Sequence, residues 1–133
     1  MTEEAVRAAL LHYLDRSAAG DEETASTIYH ADAVLEFPQS GERFEGVDHF
    51  LPWRREYPAA TIEYALDRLR GSGDVWVAEL RIRYDGGPWQ YAVDVLEFDG
   101  DRVSRESIYV AEGWAAPDWR APWRAAPPPE ARA

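Results

Sequence analysis

The sequence predicts an α+β domain, with helices in its first part and an antiparallel sheet in its second. Up to residue 57 the apolar side chains fall mainly at helical spacing, whereas residues 60–111 carry them at alternate positions, as strands do. The turns Asp85-Gly86-Gly87 and Asp99-Gly100-Asp101 separate the alternating segments. Helices followed by strand hairpins favour a layer of helices packed on one face of a sheet.

Three helices are expected in the first part of the chain. The first begins after Thr2, whose hydroxyl can cap it, and ends at Gly20. Its apolar stripe consists of Val6, Leu10, Tyr13 and Leu14. A second helix is expected after Asp21, and its inner face contains Ala25, Ile28 and Tyr29. Pro52 lies inside a third helix at residues 47–57, where the missing amide donor predicts a kink or a broken start.

The sheet is expected to begin with a strand at residues 33–37 and a short strand at residues 43–45. Three or four long strands follow, at residues 60–70, 74–84, 89–98 and 102–111. The strand at residues 89–98 is apolar on both faces, and Asp94 shares one face with Ala92, Leu96 and Phe98. Because one layer of helices covers one face only, the outer sheet face is expected to bind a second copy of the chain, giving a homodimer.

Composition excludes several classes of protein. The chain has 133 residues, which suggests one domain, placed here at residues 1–113. Its net charge of −11 opposes binding to nucleic acid. It has no cysteine, its three histidines lack metal-ligand spacing, and it has no Gly-rich phosphate loop, so no metal or cofactor is expected. Without a signal-peptide core or an apolar run of membrane-spanning length, a soluble cytoplasmic protein with no membrane partner is expected.

The segment after Gly113 differs from the rest of the chain. Residues 114–133 are rich in proline, alanine and tryptophan, and regular structure is not expected there. We expect this tail to pack on the domain or on the dimer partner, with Trp114, Trp119 and Trp123 as anchors. Its end, residues 127–133, is expected to be disordered.

Two stretches carry a resemblance to a known family. Residues 28–38, Ile-Tyr-His-Ala-Asp-Ala-Val-Leu-Glu-Phe-Pro, run from a helix into a strand that a proline ends. Residues 94–99, Asp-Val-Leu-Glu-Phe-Asp, lie on a later strand. Together they resemble the nuclear transport factor 2-like superfamily, which includes the SnoaL-like cyclases and ketosteroid isomerase. The resemblance implies a cone-shaped α+β barrel, in which three N-terminal helices pack on a curved, mixed or antiparallel sheet that encloses a pocket.

The resemblance also implies site residues. Asp94 and Tyr13 match the aspartic acid and the tyrosine that form the oxyanion hole of the isomerases, and Tyr29 matches a second pocket tyrosine. Phe37 stands where the isomerases have their catalytic base, so a wall role is expected for it, and Glu106 is nominated as a base displaced across the cavity. The other expected ligand-binding positions are Trp53, Ala78, Leu80, Ile82, Leu96 and Ile108.

The chemistry expected of Asp94 follows from its neighbours. Burial among apolar side chains disfavours a carboxylate, so the pKa of Asp94 should rise and the neutral acid could donate a hydrogen bond to a carbonyl or enolate oxygen. Ketosteroid isomerase is itself the standard example of this behaviour. The alternatives are structural: Asp94 could bond to Tyr13 or to the backbone, and Glu106 could pair with Arg54, Arg55 or an arginine of the tail.

Three functions remain open at this stage. The first is an isomerase, cyclase or lyase that acts on a small apolar carbonyl compound, with Tyr13 and Asp94 stabilising an oxyanion and Glu106 transferring the proton. The second is a binding protein for an apolar small molecule, because Phe37 removes the usual base. The third is a dimeric assembly module whose pocket is filled by its own side chains.

Overall fold

The computed structural model describes residues 1–127 and contains three helices and six strands. The helices are α1 (Glu3–Ala18), α2 (Glu22–Ala25) and α3 (Val47–Arg55), and a single 3-10 turn, Ser26–Ile28, follows α2. The strands are β1 (Tyr29–Phe37), β2 (Glu42–Glu45), β3 (Ile62–Ser72), β4 (Val75–Tyr84), β5 (Gln90–Asp99) and β6 (Arg102–Glu112). A second 3-10 segment, Asp118–Trp123, lies in the tail.

All six strands belong to one mixed sheet in the order β2-β1-β6-β5-β4-β3. Strands β3 to β6 form the antiparallel meander that the alternating pattern predicts. Strand β1 pairs with β2 antiparallel but with β6 parallel, and Leu35 stands opposite Glu106 in that parallel pair. Because β2 and β3 are the two edges, the curved sheet is open and does not close into a barrel.

The first helix forms as the sequence predicts. The Thr2 hydroxyl accepts a hydrogen bond from the amide of Ala5 at 3.1 Å, which satisfies one of the free amides at the helix start. The predicted stripe is buried against the sheet, and it consists of Val6, Leu10, Tyr13 and Leu14. The helix therefore covers the inner face of the sheet, and its buried tyrosine faces the sheet interior.

The second helix is shorter than predicted. It is capped by Asp21, whose carboxylate accepts from the Thr24 amide at 3.2 Å, but it ends at Ala25. Tyr29, expected on its inner face, instead begins β1 and pairs with Val103. The β-branched and aromatic side chains from Thr27 onward favour an extended backbone. Pairing of this segment with β6 is therefore more favourable than one further turn of α2.

The third helix runs without interruption from Val47 to Arg55, with Pro52 inside it. It ends two residues before the predicted boundary, where the amide of Glu56 bonds to the Pro52 carbonyl at 3.3 Å. A broken start is therefore wrong. Its inner side chain, Phe50, is fully buried and lies against the Tyr29 ring, with the ring centroids 5.0 Å apart.

Inward-facing residues of the meander make up most of the core. The predicted inner faces of β4 and β5 are confirmed, since Trp76, Ala78, Leu80, Ala92, Leu96 and Phe98 are all buried. In contrast, the tail tryptophans Trp114, Trp119 and Trp123 are 81%, 71% and 80% exposed, so they do not pack on their own domain. Disorder was expected for residues 127–133. Of these, all except Pro127 lie outside the described residues. No helix within residues 1–127 is long and apolar enough to cross a membrane.

Candidate functional site

A cavity of about 150 Å³ lies between the helices and the inner face of the sheet. Aromatic side chains form much of its wall: Tyr13, Phe37, Trp53, Tyr57, Tyr64 and Tyr84. Aliphatic side chains add to the wall: Ile62, Ile82, Ile108 and Val110. Five polar side chains also reach it: Ser17, Glu22, Arg54, Gln90 and Asp94.

Strand register places these residues together. Tyr64 stands opposite Ile82 in the β3–β4 pair, and Asp94 stands opposite Ile108 in the β5–β6 pair. Paired residues project to the same face of a sheet, so one end of the meander presents all four side chains inward. The cavity therefore lies at the end of the sheet that contains the start of β3 and the end of β6.

A cluster of buried polar groups lies behind this wall. The Tyr29 hydroxyl donates a hydrogen bond to Oε1 of Glu106, and Nη1 of Arg54 donates to the Tyr29 hydroxyl at 3.0 Å. Nη2 of Arg54 is 3.8 Å from the same Glu106 oxygen. The Glu106 side chain is only 2% exposed and that of Arg54 9%, so this is a buried ion pair bridged by a tyrosine.

Aromatic rings surround the Arg54 guanidinium. Its central carbon is 5.1–5.6 Å from the ring centroids of four residues, Tyr13, Tyr29, Phe50 and Trp53. Such faces attract a desolvated cation, which offsets part of the cost of burying it. Burial alone would lower the pKa of Arg54, but the neighbouring Tyr13, Tyr29 and Glu106 raise it overall, so the guanidinium stays charged.

Asp94 connects this cluster to the cavity. Burial is the main cause that raises its pKa well above the ordinary value, and the charge of Glu106 and a hydrogen bond with that residue raise it further. The positive charge of Arg54 opposes the shift without cancelling it. Asp94 is therefore favoured as the neutral acid, hydrogen-bonded to Glu106, and its side chain lines the cavity.

The other buried hydroxyls are held in their neutral form. Burial raises the pKa of both Tyr13 and Tyr29, and the nearby charge of Glu106 raises it further. Arg54 counteracts part of the shift in each case. Tyr13 thus offers a neutral hydroxyl in the same cavity wall as Asp94.

The structure brings only some of the expected site residues to the cavity. Six of them line it, namely Asp94, Tyr13, Phe37, Trp53, Ile82 and Ile108. Five lie in the buried layer beyond the wall, namely Glu106, Tyr29, Ala78, Leu80 and Leu96. The inward face of each strand runs the length of the sheet, but only positions near the start of β3 and the end of β6 reach the cavity.

The position of Glu106 agrees with the structural alternative. It faces inward, as the alternation of β6 predicts, but it pairs with Arg54 and does not line the cavity. Asp94, to which it is hydrogen-bonded, does line the cavity.

Several lining residues have no place in the expected site. Tyr64 and Tyr84 lie at inward positions of alternating strands, a signal that could have identified them. The sequence points to Arg54 only as a partner of Glu106. Glu22 follows the cap of α2, where acidic residues are ordinary, and its burial depends on contacts distant in the sequence.

Glu22 belongs to a second polar group on the cavity wall. The Ser17 hydroxyl donates to its Oε1 at 2.5 Å and lies 3.1 Å from the Tyr64 hydroxyl. Among residues 1–127, two buried side-chain atoms have no hydrogen-bond partner, Oε2 of Glu22 and Nε1 of Trp53. Both belong to side chains that line the cavity.

An outer groove of about 610 Å³ adjoins the cavity. Four residues line both the groove and the cavity, namely Phe37, Trp53, Tyr57 and Val110. Phe44 closes its far side and packs on Trp53, with the ring centroids 5.3 Å apart. Within the described part of the chain, no group of three His, Cys, Asp or Glu side chains is placed to hold a metal ion.

An open mixed sheet, helices over its inner face and an inner cavity with a buried acid define a class of small α+β domains, the nuclear transport factor 2-like fold. A family model described as a SnoaL-like domain matches residues 10–106, which is more than half of the chain. The chain belongs to the SnoaL-like family.

Individual relatives agree with this assignment. A steroid Delta-isomerase of Nocardioides simplex is 29% identical over 99 residues, which cover 72% of this chain and 80% of the isomerase. The crystal structure of an NTF-2-like protein of unknown function from Burkholderia xenovorans LB400 is 36% identical, with a TM-score of 0.81 and coverage of 93% and 96% of the two chains. A candidate ketosteroid isomerase from Kribbella flavida shares the fold, with 24% identity, a TM-score of 0.82 and coverage of 98% and 96%.

Proposed function

We propose that this chain is an isomerase- or cyclase-type enzyme that binds a small, largely apolar carbonyl compound in the inner cavity. One observation carries the proposal: Asp94, favoured as the neutral acid, lies in the cavity wall together with Tyr13. A neutral carboxyl and a neutral phenol are both donors for a ligand oxygen. Their hydrogen bonds strengthen as negative charge develops on that oxygen in the transition state.

The cluster behind Asp94 suits this role. Tyr29 donates a hydrogen bond to Glu106 and Arg54 pairs with it, so both residues hold the Glu106 carboxyl group in place. Movement of a double bond needs a base, because one ligand carbon loses a proton and another gains one. In the proposed step Asp94 takes the proton of the first carbon and passes its own proton to Glu106, so that negative charge moves to the ligand oxygen, where Asp94 and Tyr13 donate hydrogen bonds. The reverse transfer places a proton on the second carbon, and Arg54 acts only as a positioning residue.

The size of the cavity limits the part of the ligand that enters it. A volume of about 150 Å³ matches an apolar cavity that admits benzene, so a single six-membered ring fits. Any larger body of the ligand would occupy the outer groove, whose walls are also mainly apolar. The isomerase relative from Nocardioides simplex supports the class of reaction, the movement of a double bond, without identifying the substrate.

A small unsaturated ketone tests the proposal. We expect the protein to convert 3-cyclohexen-1-one into its conjugated isomer, which ultraviolet absorbance detects. Asp94→Asn should lower kcat about 100-fold, because the amide fills the same space without a transferable proton, and Tyr13→Phe should also lower it. Asp74→Asn is the matched control, since Asp74 is exposed and remote from the cavity. Unchanged turnover in both Asp94→Asn and Glu106→Gln would end the proposal.

A binding protein without catalysis is the second candidate. Phe37 favours it, because this side chain packs with Phe44 and Trp53 at ring-centroid distances of 6.3 and 5.9 Å and leaves no base at that position. Thermal-shift measurements with small cyclic ketones separate the two candidates. A rise in Tm without any turnover of 3-cyclohexen-1-one supports the binding protein, and turnover supports the enzyme.

We also propose a cytoplasmic location for the protein. The absence of cysteine supports it, because a chain without disulfides is suited to a reducing compartment.

A further inference from the structure

Glu22 is a buried acid that the proposed reaction does not use. Its residue is 7% exposed, and its side chain lines the inner cavity. Its backbone is fixed at the start of α2, where the Ser26 hydroxyl donates to the Glu22 carbonyl at 2.7 Å. The cavity thus contains a second carboxyl group, on the helical side of the wall, in addition to Asp94 on the sheet.

Only one oxygen of this carboxyl group is satisfied within the protein. Oε1 accepts from the Ser17 hydroxyl at 2.5 Å, whereas Oε2 is buried and has no hydrogen-bond partner among residues 1–127. Among residues 1–127, no arginine lies within ion-pair distance of Glu22. The nearby Arg55 forms an ion pair with the adjacent Glu23 instead. A buried carboxylate oxygen without a donor is costly, so a donor from outside the chain would be strongly favoured there.

The polar groups of the cavity wall are otherwise mostly donors. Asp94 and Tyr13 have hydroxyls and Arg54 has a guanidinium, whereas Gln90 has both a donor and an acceptor. These groups suit ligand oxygens. Glu22 has a carboxyl oxygen without a donor, so it suits a ligand group that donates a hydrogen bond.

We propose that Glu22 recognises a hydrogen-bond donor on the ligand, a hydroxyl or amine carried on the same small molecule as the carbonyl group. The substrate class is thereby narrowed from carbonyl compounds to hydroxy- or amino-substituted carbonyl compounds. This inference rests on the proposed function in one respect: both proposals place the ligand in the same inner cavity. Asp94 and Tyr13 bind the oxygen at which charge develops, and Glu22 fixes the orientation of the ring from the other side.

The Ser17 contact supports this role mechanically. Ser17 holds Oε1 and itself contacts Tyr64, so the carboxyl group is attached to both α1 and β3. Oε2 is covered in the present conformation, but the terminal torsion of glutamate has a broad energy minimum. Rotation about this torsion would bring Oε2 to the cavity surface, where a ligand donor can reach it.

Four single-ring probes test the inference without knowledge of the natural substrate. Benzylamine and benzyl alcohol carry a donor, whereas anisole and toluene do not, and all four resemble the ring that the cavity admits. We expect the purified chain to bind benzyl alcohol about fivefold tighter than anisole. For a charged donor the preference should be at least about tenfold, so benzylamine should bind at least about tenfold tighter than toluene. Isothermal titration calorimetry measures all four.

Variants assign the preference to Glu22. Glu22→Met should abolish both preferences, and Glu22→Gln, which keeps the shape, should reduce the benzylamine preference. Glu23→Gln is the matched control, since it removes the same charge from an exposed neighbour. Far-ultraviolet circular dichroism verifies folding, and if Glu22→Met is unfolded, Glu22→Gln alone decides.

Two results would overturn the inference: equal affinity of the wild-type chain for donor and non-donor probes, or preferences that Glu22→Gln and Glu22→Met leave intact. Asp94→Asn keeps the two proposals distinct. It should retain the donor preference although it loses turnover, so a failure of catalysis with an intact preference contradicts only the proposed function.

Discussion

At the scale of single residues, the raised pKa of Asp94 is the feature that most affects the pH dependence of stability. Burial and the adjacent Glu106 charge raise the pKa of Asp94 above its ordinary 3.8. In the unfolded chain Asp94 ionises near that ordinary value, whereas in the folded protein it stays neutral to higher pH. The folded state therefore binds more protons than the unfolded state between these two pKa values, and its stability falls as pH rises through that window.

Asp94→Asn should remove this dependence. The asparagine variant is expected to gain stability relative to the wild type as pH rises from about 4 to about 8, because the wild type alone loses the favourable neutral form. Urea denaturation of both proteins at several pH values measures the difference in the free energy of unfolding. A difference that is constant over this range would contradict the raised pKa.

The residue scale also shows what local sequence could predict. Alternation along β6 predicted correctly that Glu106 faces inward, and the apolar neighbours of Asp94 predicted its raised pKa. The depth of each residue was not accessible in this way, because Ala78 and Ile82 share one strand face and yet only Ile82 reaches the cavity. Depth is set by contacts between segments distant in the sequence.

At the scale of elements, the tight β3–β4 hairpin depends on Gly71. A Cβ atom at this position would lie 2.3 Å from the Val75 carbonyl oxygen and 2.7 Å from Cα of Trp76. Both are backbone atoms, so the hairpin would have to open to accept a methyl group. The position has no side chain because the two strands cross too closely for one.

Gly71→Ala is therefore expected to destabilise the protein by about 1–3 kcal/mol. Thermal and urea denaturation should both show the loss, without a change in the spectrum of the folded state. Ser72→Ala, at the exposed neighbouring position, is the control and should have little effect. Equal stability of the Gly71→Ala and wild-type chains would show that the hairpin tolerates the contact.

The elements themselves were predicted with uneven success. The first helix and the four-stranded meander follow from short-range periodicity and turn residues, and their bounds were close. The start of β1 at Tyr29 and its parallel pairing with β6 were not expected, because they depend on Val103 and Glu106, which lie far away in the chain. Pairing with a distant strand overrode the local helical tendency.

At the scale of the whole molecule, the outer face of the sheet is incompletely covered. Val75, Val93 and Tyr109 are 48%, 37% and 44% exposed, and Val93 stands opposite Tyr109 in the β5–β6 register. Arg81 and Arg83 on the same face stack on Trp89, with their guanidinium carbons 5.0 and 4.4 Å from the ring centroid. We propose that this face binds a second copy of the chain, with the exposed tail tryptophans available to the same interface.

Light scattering coupled to size exclusion tests the dimer. The wild-type chain is expected at twice its mass of 15.1 kDa, and Val93→Glu should shift it to the monomer by placing an unpaired charge in the interface. Leu11→Glu is the matched control, because Leu11 is a similarly exposed apolar residue on α1 and should leave the dimer intact. A monomeric wild type at micromolar concentration would contradict the proposal.

The pairing of β1 with β6 also determines when the site can exist. Strand β6, the last of the six in chain order, contributes Ile108 and Val110 to the cavity and Glu106 to the cluster behind it. A nascent chain whose β6 is still inside the ribosome lacks these side chains, so it has neither the cavity nor the cluster. Ligand recognition thus requires all six strands, and the ligand cannot assist the folding of the segments that precede β6.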